Sequence, residues 1–246
     1  MRPGSIARPV SRPTALLLHA FPLDARMWDD LASVLDEAGY PVVAPDLPGD
    51  EPELGFAAWA RRVLDLVNGA CVPIGCSMGG YLAFELWRQE PERIAALVLA
   101  DTRATPDTPE QRIARDDSIR VLGEAGHEPF WDDLAPKIFS GSADPAVVER
   151  AREIAFEQPL TALVTAQETI RDRADSRPTL PTIDVPVLVL VGDEDRLTPP
   201  ADAEAMVAAL PDARFSRIAG AGHLAPLEQA NAVAAEIRDF LLEVVP

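Results

Sequence analysis

The chain has 246 residues, 48% of them hydrophobic, enough to bury one large core, so a single domain with an insertion and two domains suit the length equally. It carries 22 basic and 40 acidic residues, a formal charge of −18. With no basic stripe to neutralise phosphates, nucleic acid and anionic membrane surfaces are excluded as partners, and the acidity reads as solubility.

Residues 1–13 hold three arginines and three prolines, and the apolar run that follows, Ala15 to Leu18, is too short for a signal-peptide core. No stretch approaches the length of a membrane span. Short apolar runs then alternate with helical patterns. The expected strands are Ala15–Leu18, Pro41–Ala44, Ala70–Ile74, Ala95–Ala100, Val185–Val191 and Arg214–Ile218. Most are continuously apolar, as in a parallel sheet buried on both faces. The expected helices between and after them are Ala25–Ala38, Phe56–Val67, Met78–Gln89, Ala201–Ala209 and Leu227–Val244. This alternation predicts right-handed crossovers and a doubly wound α/β sheet, mostly parallel, of about six strands.

One connection breaks the rhythm. Residues 101–184 far exceed the dozen or so that a crossover requires, and they read as four helices: Glu110–Leu122, Pro129–Phe139, Pro145–Glu157 and Leu160–Arg173. The expected organisation is a core of residues 1–101 and 184–246 with residues 102–183 inserted as a helical cap over the carboxyl edge of the sheet, where ligands bind.

Cys71 and Cys76 fall on one expected strand at an odd spacing, so they face opposite ways and do not pair. No metal-binding spacing exists, and two free thiols suit a reducing cytoplasm. Lys137 is the one lysine, and His19, His127 and His223 are the three histidines, so a neutral-pH base has few candidates.

Gly75-Cys76-Ser77-Met78-Gly79-Gly80 lies between an apolar run and a helical pattern. A serine flanked two residues away on each side by glycine, at a strand-to-helix turn, reads as a nucleophile elbow. Glycine at 75 and 79 avoids collision with the flanking backbone and leaves the Ser77 hydroxyl exposed. A serine needs a base, and the base an orienting acid. His223, in the loop Gly220-Ala221-Gly222-His223-Leu224-Ala225-Pro226 before the last helix, is the candidate base. Asp195, deep in Gly192-Asp193-Glu194-Asp195-Arg196-Leu197-Thr198-Pro199, is the candidate acid, with Asp101 as the alternative; Asp193 caps the turn and Glu194 is solvated. An oxyanion would be met by the backbone N–H of Met78 and of Phe21, since Pro22 has none. His19 holds the first-strand loop rather than acting as base.

These stretches together resemble the α/β-hydrolase superfamily over nearly the whole chain: H-A-F, G-C-S-M-G-G, G-D-E-D-R-L-T-P and A-G-H-L-A-P-L-E, with Ser77, Asp195 and His223 in that superfamily's order. Within it the chain is similar to small capped carboxylesterases, enol-lactone hydrolases and the pimeloyl-ester and menaquinone-pathway hydrolases. The resemblance implies a cofactor-free serine mechanism with no metal. It also supports Phe21 and Met78 as oxyanion donors and residues of about 102–183 as the cap. The chain departs from the pattern in three places. Too few residues precede the first strand for the usual antiparallel hairpin, so the sheet should lack one or two edge strands. Ala20 replaces the usual glycine after the first histidine. Asp46-Leu47-Pro48-Gly49-Asp50-Glu51-Pro52 replaces a glycine- and histidine-containing loop and should reshape one wall of the site.

The expected activity is hydrolysis of a small carboxylic ester through an acyl-enzyme, with a small molecule as partner. His19, Phe130, Trp131 and Phe139 are the expected substrate-binding residues, Phe21, Met78 and Ile138 add apolar wall, and packing within the cap is the alternative role for the aromatics. An enol-lactone, a thioester or a carbon–carbon bond would suit the same three residues. A non-catalytic receptor on the same fold is the rival from another class.

Overall fold

The structure, a computed structural model, describes residues 12–47 and 55–245. Residues 1–11, and residues 48–52 of the acidic loop expected to reshape the site wall, lie outside the described residues. Six strands form one sheet: β1 (Thr14–Leu18), β2 (Val42–Val43), β3 (Cys71–Cys76), β4 (Leu97–Ala100), β5 (Val187–Gly192) and β6 (Ala213–Ile218). Their spatial order is β2-β1-β3-β4-β5-β6, and every pairing is parallel. The order reverses between β1 and β3, the point at which a doubly wound sheet opens a crevice for ligands.

The apolar runs become strands because both faces are covered. Alternate residues go to opposite cores: Ala15, Leu17, Val72, Ile74 and Cys76 pack on one face, and Leu16, Leu18, Cys71, Leu97 and Leu99 on the other. The two cysteines therefore point apart, buried and unpaired. The first face is covered by α1 (Asp29–Glu37), entered through a 3₁₀ turn that Asp24 caps, and by α10 (Ala230–Val244). The second is covered by α2 (Phe56–Asp65), α3 (Met78–Gln89) and α8 (Pro200–Ala209). Side chains such as Leu16, Leu17 and Leu18 are wholly buried, each contributing about 1.5–3 kcal/mol. The expected terminal helix is broken: α9 (Ala225–Glu228) stops at Gln229, whose non-helical backbone turns the chain before α10 begins.

Between β4 and β5 run α4 (Pro109–Ala125), α5 (His127–Ile138), α6 (Pro145–Glu157) and α7 (Leu160–Arg171). A capping box opens α4: Thr108 accepts from the Gln111 backbone while Gln111 reaches back to Thr108, and Pro109 takes the position where no N–H is needed. This helix buries little besides Leu122, which packs with Phe130 of α5 and Leu163 of α7. No helix among the described residues is long and apolar enough to cross a membrane.

Candidate active site

The register brings five strand ends to one edge. Leu18 sits beside Gly75, Cys76 beside Ala100, and Gly192 beside Ile218. The loops beginning at His19, Ser77, Asp101, Asp193 and Ala219 therefore open side by side.

Ser77 caps α3 with φ of 51°, a conformation that L residues rarely adopt. Its N–H donates to Ala100 O at 2.9 Å, and its carbonyl accepts from the Thr102 hydroxyl at 2.9 Å and from the Gly80 N–H at 3.0 Å. A Cβ on Gly75 would run into the Gly79 carbonyl, and one on Gly79 into Leu18 O. The glycines thus let β1, β3 and α3 close on one another around the turn.

His223 Nε2 lies 2.7 Å from Ser77 Oγ, and His223 Nδ1 lies 2.8 Å from Asp195 Oδ2. The Thr198 hydroxyl donates to the same Oδ2 at 2.6 Å, and the N–H groups of Leu197 and Thr198 donate to Oδ1 at 2.8 and 2.9 Å. Burial alone would raise the Asp195 carboxyl, but the neighbouring His223, the Thr198 hydroxyl and the Thr198 backbone N–H outweigh it and hold Asp195 below the usual carboxylate range. With Asp195 ionised, Nδ1 carries its proton toward the carboxylate and Nε2 is left to accept from Ser77.

Asp101 takes a different part. It is wholly buried, at φ of 45°, and its two oxygens accept the N–H of Gly192 at 2.8 Å and of Ala225 at 3.1 Å. Burial pushes this carboxyl well above its usual range, and the charge of Asp195 pushes the same way. It ties together the strand end before Asp195 and the helix after His223, with no hydrogen bond to the imidazole among the described residues.

Met78 is the first residue of α3, so its N–H is an open helix terminus beside Ser77. Neither it nor the Phe21 N–H finds a partner among the described residues, and Phe21 lines the cavity that holds Ser77. That cavity, of about 270 Å³, also holds His223 and Thr198, with Tyr81, Phe130, Leu134, Ile138 and Ile170 as apolar wall. A larger surface depression, of about 460 Å³, shares only Tyr81 with it and contains neither Ser77 nor His223.

Three expected substrate contacts lie elsewhere. His19 is buried behind the loop: its Nδ1 donates to Ala20 O at 3.0 Å and its Nε2 accepts the Leu47 N–H at 2.7 Å. Burial lowers its pKa, so it is a neutral brace with no nitrogen free for substrate. Trp131 and Phe139 pack on each other at 6.2 Å in the core, and Trp131 also meets Phe156. Of the expected cap aromatics, Phe130 reaches the cavity, its ring edge-on to Phe21 at 5.7 Å.

Several contacts carry no signal in the motif stretches. Glu228 accepts Gly222 N–H at 2.8 Å and Ser140 N–H at 2.9 Å, clamping the histidine loop to the end of α5. Glu194 is not merely solvated: it accepts the Gly141 N–H at 3.0 Å. Asp193 reaches into the loop after β6 rather than capping its own turn, accepting the Gly220 N–H at 2.8 Å. Among the described residues no group of side chains is arranged to hold a metal ion.

Comparison with known proteins agrees with this fold. A family model described as "Alpha/beta hydrolase family" matches residues 15–236. The pimeloyl-[acyl-carrier protein] methyl ester esterase of Neisseria meningitidis serogroup B is 30% identical, the alignment covering 92% of this chain and 91% of that protein. The protein of the same name from Aromatoleum aromaticum is also 30% identical, over 94% and 99%. Among solved structures, a thermophilic esterase from Thermogutta terrifontis superposes with a TM-score of 0.89 at 34% identity, covering 95% of this chain and 91% of the other. The enol-lactonase from Burkholderia xenovorans LB400 gives 0.84 at 26% identity, covering 94% and 92%.

Proposed function

Because the chain belongs to the α/β hydrolase family, we propose that it hydrolyses a small carboxylic ester by acyl transfer through Ser77, with His223 as base and Asp195 as its orienting acid. The observation that carries this reading is the unbroken line from Ser77 Oγ to His223 Nε2 at 2.7 Å and from His223 Nδ1 to Asp195 at 2.8 Å. Ester hydrolysis is also the activity that the names of its relatives carry.

In this mechanism Ser77 Oγ attacks the ester carbonyl carbon as Nε2 takes its proton. The carbonyl electron pair moves onto oxygen, which the Met78 and Phe21 N–H groups meet. Collapse of the tetrahedral intermediate breaks the bond to the alkoxy group, which leaves as the alcohol with the proton from Nε2. Water then gives a proton to Nε2 and attacks the acyl carbon. The second collapse releases the acid and returns that proton to Ser77. Asp195 stays ionised throughout and stabilises the imidazolium.

Residues 102–183 act in this reading as a cap that shapes the acyl site, supported by Phe130, Leu134 and Ile138 on the cavity wall. An enol-lactone is the second reading, supported by the likeness to the Burkholderia enol-lactonase, because a cyclic ester offers the same carbonyl to the same hydroxyl. A reducing cytoplasm is the compartment that two buried free thiols support.

A fluorophosphonate probe should label Ser77 in the wild-type protein. Ser77→Ala should lose several orders of magnitude in p-nitrophenyl acetate hydrolysis. An unlabelled Ser77 would favour a non-catalytic receptor, and wild-type turnover by Ser77→Ala would refute Ser77 as the nucleophile.

A further inference from the structure

The cavity that opens on Ser77 is cationic, in a chain with 40 acidic and 22 basic residues. Arg103, Arg115, Lys137 and Arg196 line it, against Asp107 and Asp133. Both carboxylates are already committed. The Asp107 side chain, fully buried, takes Arg115 at 2.5 Å and also Arg173 at 2.5 Å, two guanidinium groups for one carboxylate. Asp133 balances Lys137 at 2.6 Å.

That leaves two arginines without a hydrogen-bonded carboxylate: Arg103, whose one ion pair is long, and Arg196, which has none among the described residues. Arg103 leaves the end of β4 with its side chain only 13% exposed. Its nearest carboxylate, Asp202, stands 3.6 Å away, too far for a hydrogen bond. Its Nη2 donates to Leu197 O, and its buried Nε finds no partner. Arg196, next to Asp195, donates to the Pro136 carbonyl at 3.2 Å and has no carboxylate within ion-pair distance among the described residues. Most of the described arginines hold an acid, even on open surface, as Arg112, Arg171 and Arg217 do. Arg196, exposed at the cavity, and Arg103, desolvated in its wall with Asp202 3.6 Å away, are not held in this way. A positive field inside low-dielectric walls favours an anion there far more than it would in water.

We propose that the ester substrate carries a negative group, a carboxylate or a phosphate, at the end remote from the scissile carbonyl, and that Arg103 and Arg196 hold it. The inference rests on the ester-hydrolase reading of Ser77. The cavity, at about 270 Å³, lies near the lower end of the ~300–1,000 Å³ usual for ligand sites, so the substrate is short. The anionic group orients the chain toward the two arginines.

The test is a charge series of methyl hexanoates bearing carboxylate, phosphate, hydroxyl or ammonium at the far carbon. The anionic esters should exceed the hydroxyl ester in kcat/KM by about tenfold, with the ammonium ester slowest and the preference weakening with added salt. The faster of the two anionic esters identifies the group. Arg196→Gln, at an exposed position, should collapse the ratio of anionic to neutral kcat/KM. Lys137→Gln should leave that ratio within about twofold, since Asp133 already balances its charge. Equal rates across the series, or preference for ammonium, would overturn the inference while leaving ester hydrolysis standing. If no ester turns over and fluorophosphonate leaves Ser77 unlabelled, the hydrolase reading fails. Calorimetry then decides the anion site separately: Ser77→Ala should bind methyl 6-carboxyhexanoate at least tenfold more tightly than methyl 6-hydroxyhexanoate, and equal binding would overturn it.

Discussion

The backbone N–H of His223 donates to the carbonyl of Ile138 at 2.8 Å. Ile138 is the last residue of α5, so the proposed base hangs from the end of that helix. Glu228 reinforces the junction by bridging Gly222 and Ser140. The imidazole is thereby held from both sides, by Asp195 through its ring and by the end of α5 through its backbone. A shift of α5 would move the base.

Gly222→Ala tests that coupling. A Cβ at this position would stand 2.6 Å from Ser140 N, 2.7 Å from Phe139 C and 2.8 Å from Ile138 O, all backbone atoms. The loop must withdraw from the cap, taking His223 with it. A displacement of about 1 Å should lower kcat on the order of a hundredfold. The variant should still melt cooperatively, a few degrees lower. Wild-type kcat in a folded variant would show that the cap contact does not set the base.

Asp101 gives stability a pH dependence of its own. Its folded pKa lies well above the 3.8 of an ordinary aspartate, raised first by burial and then by Asp195. The native state therefore binds this proton more tightly than the unfolded chain. The resulting stabilisation is complete below the unfolded pKa and is lost as pH rises through the folded one. Asp101→Asn has no proton to lose, although it forfeits one of the two bonds to Gly192 and Ala225. Melting of both proteins from about pH 4 upward should show the wild type losing its advantage over the variant. A difference in Tm that stays constant with pH would sink the argument.

Thr198→Val should weaken the acid. The hydroxyl donates to Asp195 Oδ2 at 2.6 Å and helps keep that carboxyl depressed. Without it, Asp195 protonates at higher pH. Because its folded pKa is below its unfolded one, the stability it supplies is present above the unfolded pKa and lost as pH falls through the folded value. The variant should lose stability earlier on acidification and lose roughly tenfold in kcat, as expected for one hydrogen bond to a charged group. Parallel pH–rate and pH–Tm curves read both effects.

The sheet was legible because strands buried on both faces must be apolar throughout, as in Val187–Gly192. The nucleophile turn was legible because its requirements are local: Gly75 and Gly79 lie within two residues of Ser77. Asp195 and Asp101 both lie between Ser77 and His223, so chain order alone does not separate them; their contacts do, one on the imidazole and one on backbone amides. What stayed hidden was set by packing between distant segments. Neighbours on α5 diverge by about 100°, so Phe130 meets the cavity while Trp131 goes to the core, and sequence alone does not phase that helix against the sheet. His19 does hold the first-strand loop, as read, but its burial away from the cavity was not legible, because its partner, Leu47, lies far along the chain. Glu228 and Thr198 sit near motif residues, yet their roles depend on which loops meet.

Phe130→Ala should change which acyl group the cavity accepts. The ring is buried, lines the cavity with Ser77 and meets Phe21 edge-on at 5.7 Å. Its removal costs packing, about 3 kcal/mol of stability if the neighbours relax little. It also extends the space above the reacting carbonyl. Short acyl esters lose a wall and should show raised KM with kcat less affected, while longer ones gain room. Across a series of p-nitrophenyl esters, the optimum should move by one to several methylenes, each worth about tenfold in relative kcat/KM. An unchanged optimum would mean that the acyl chain leaves the cavity by another route, along the wall formed by Leu134 and Ile138.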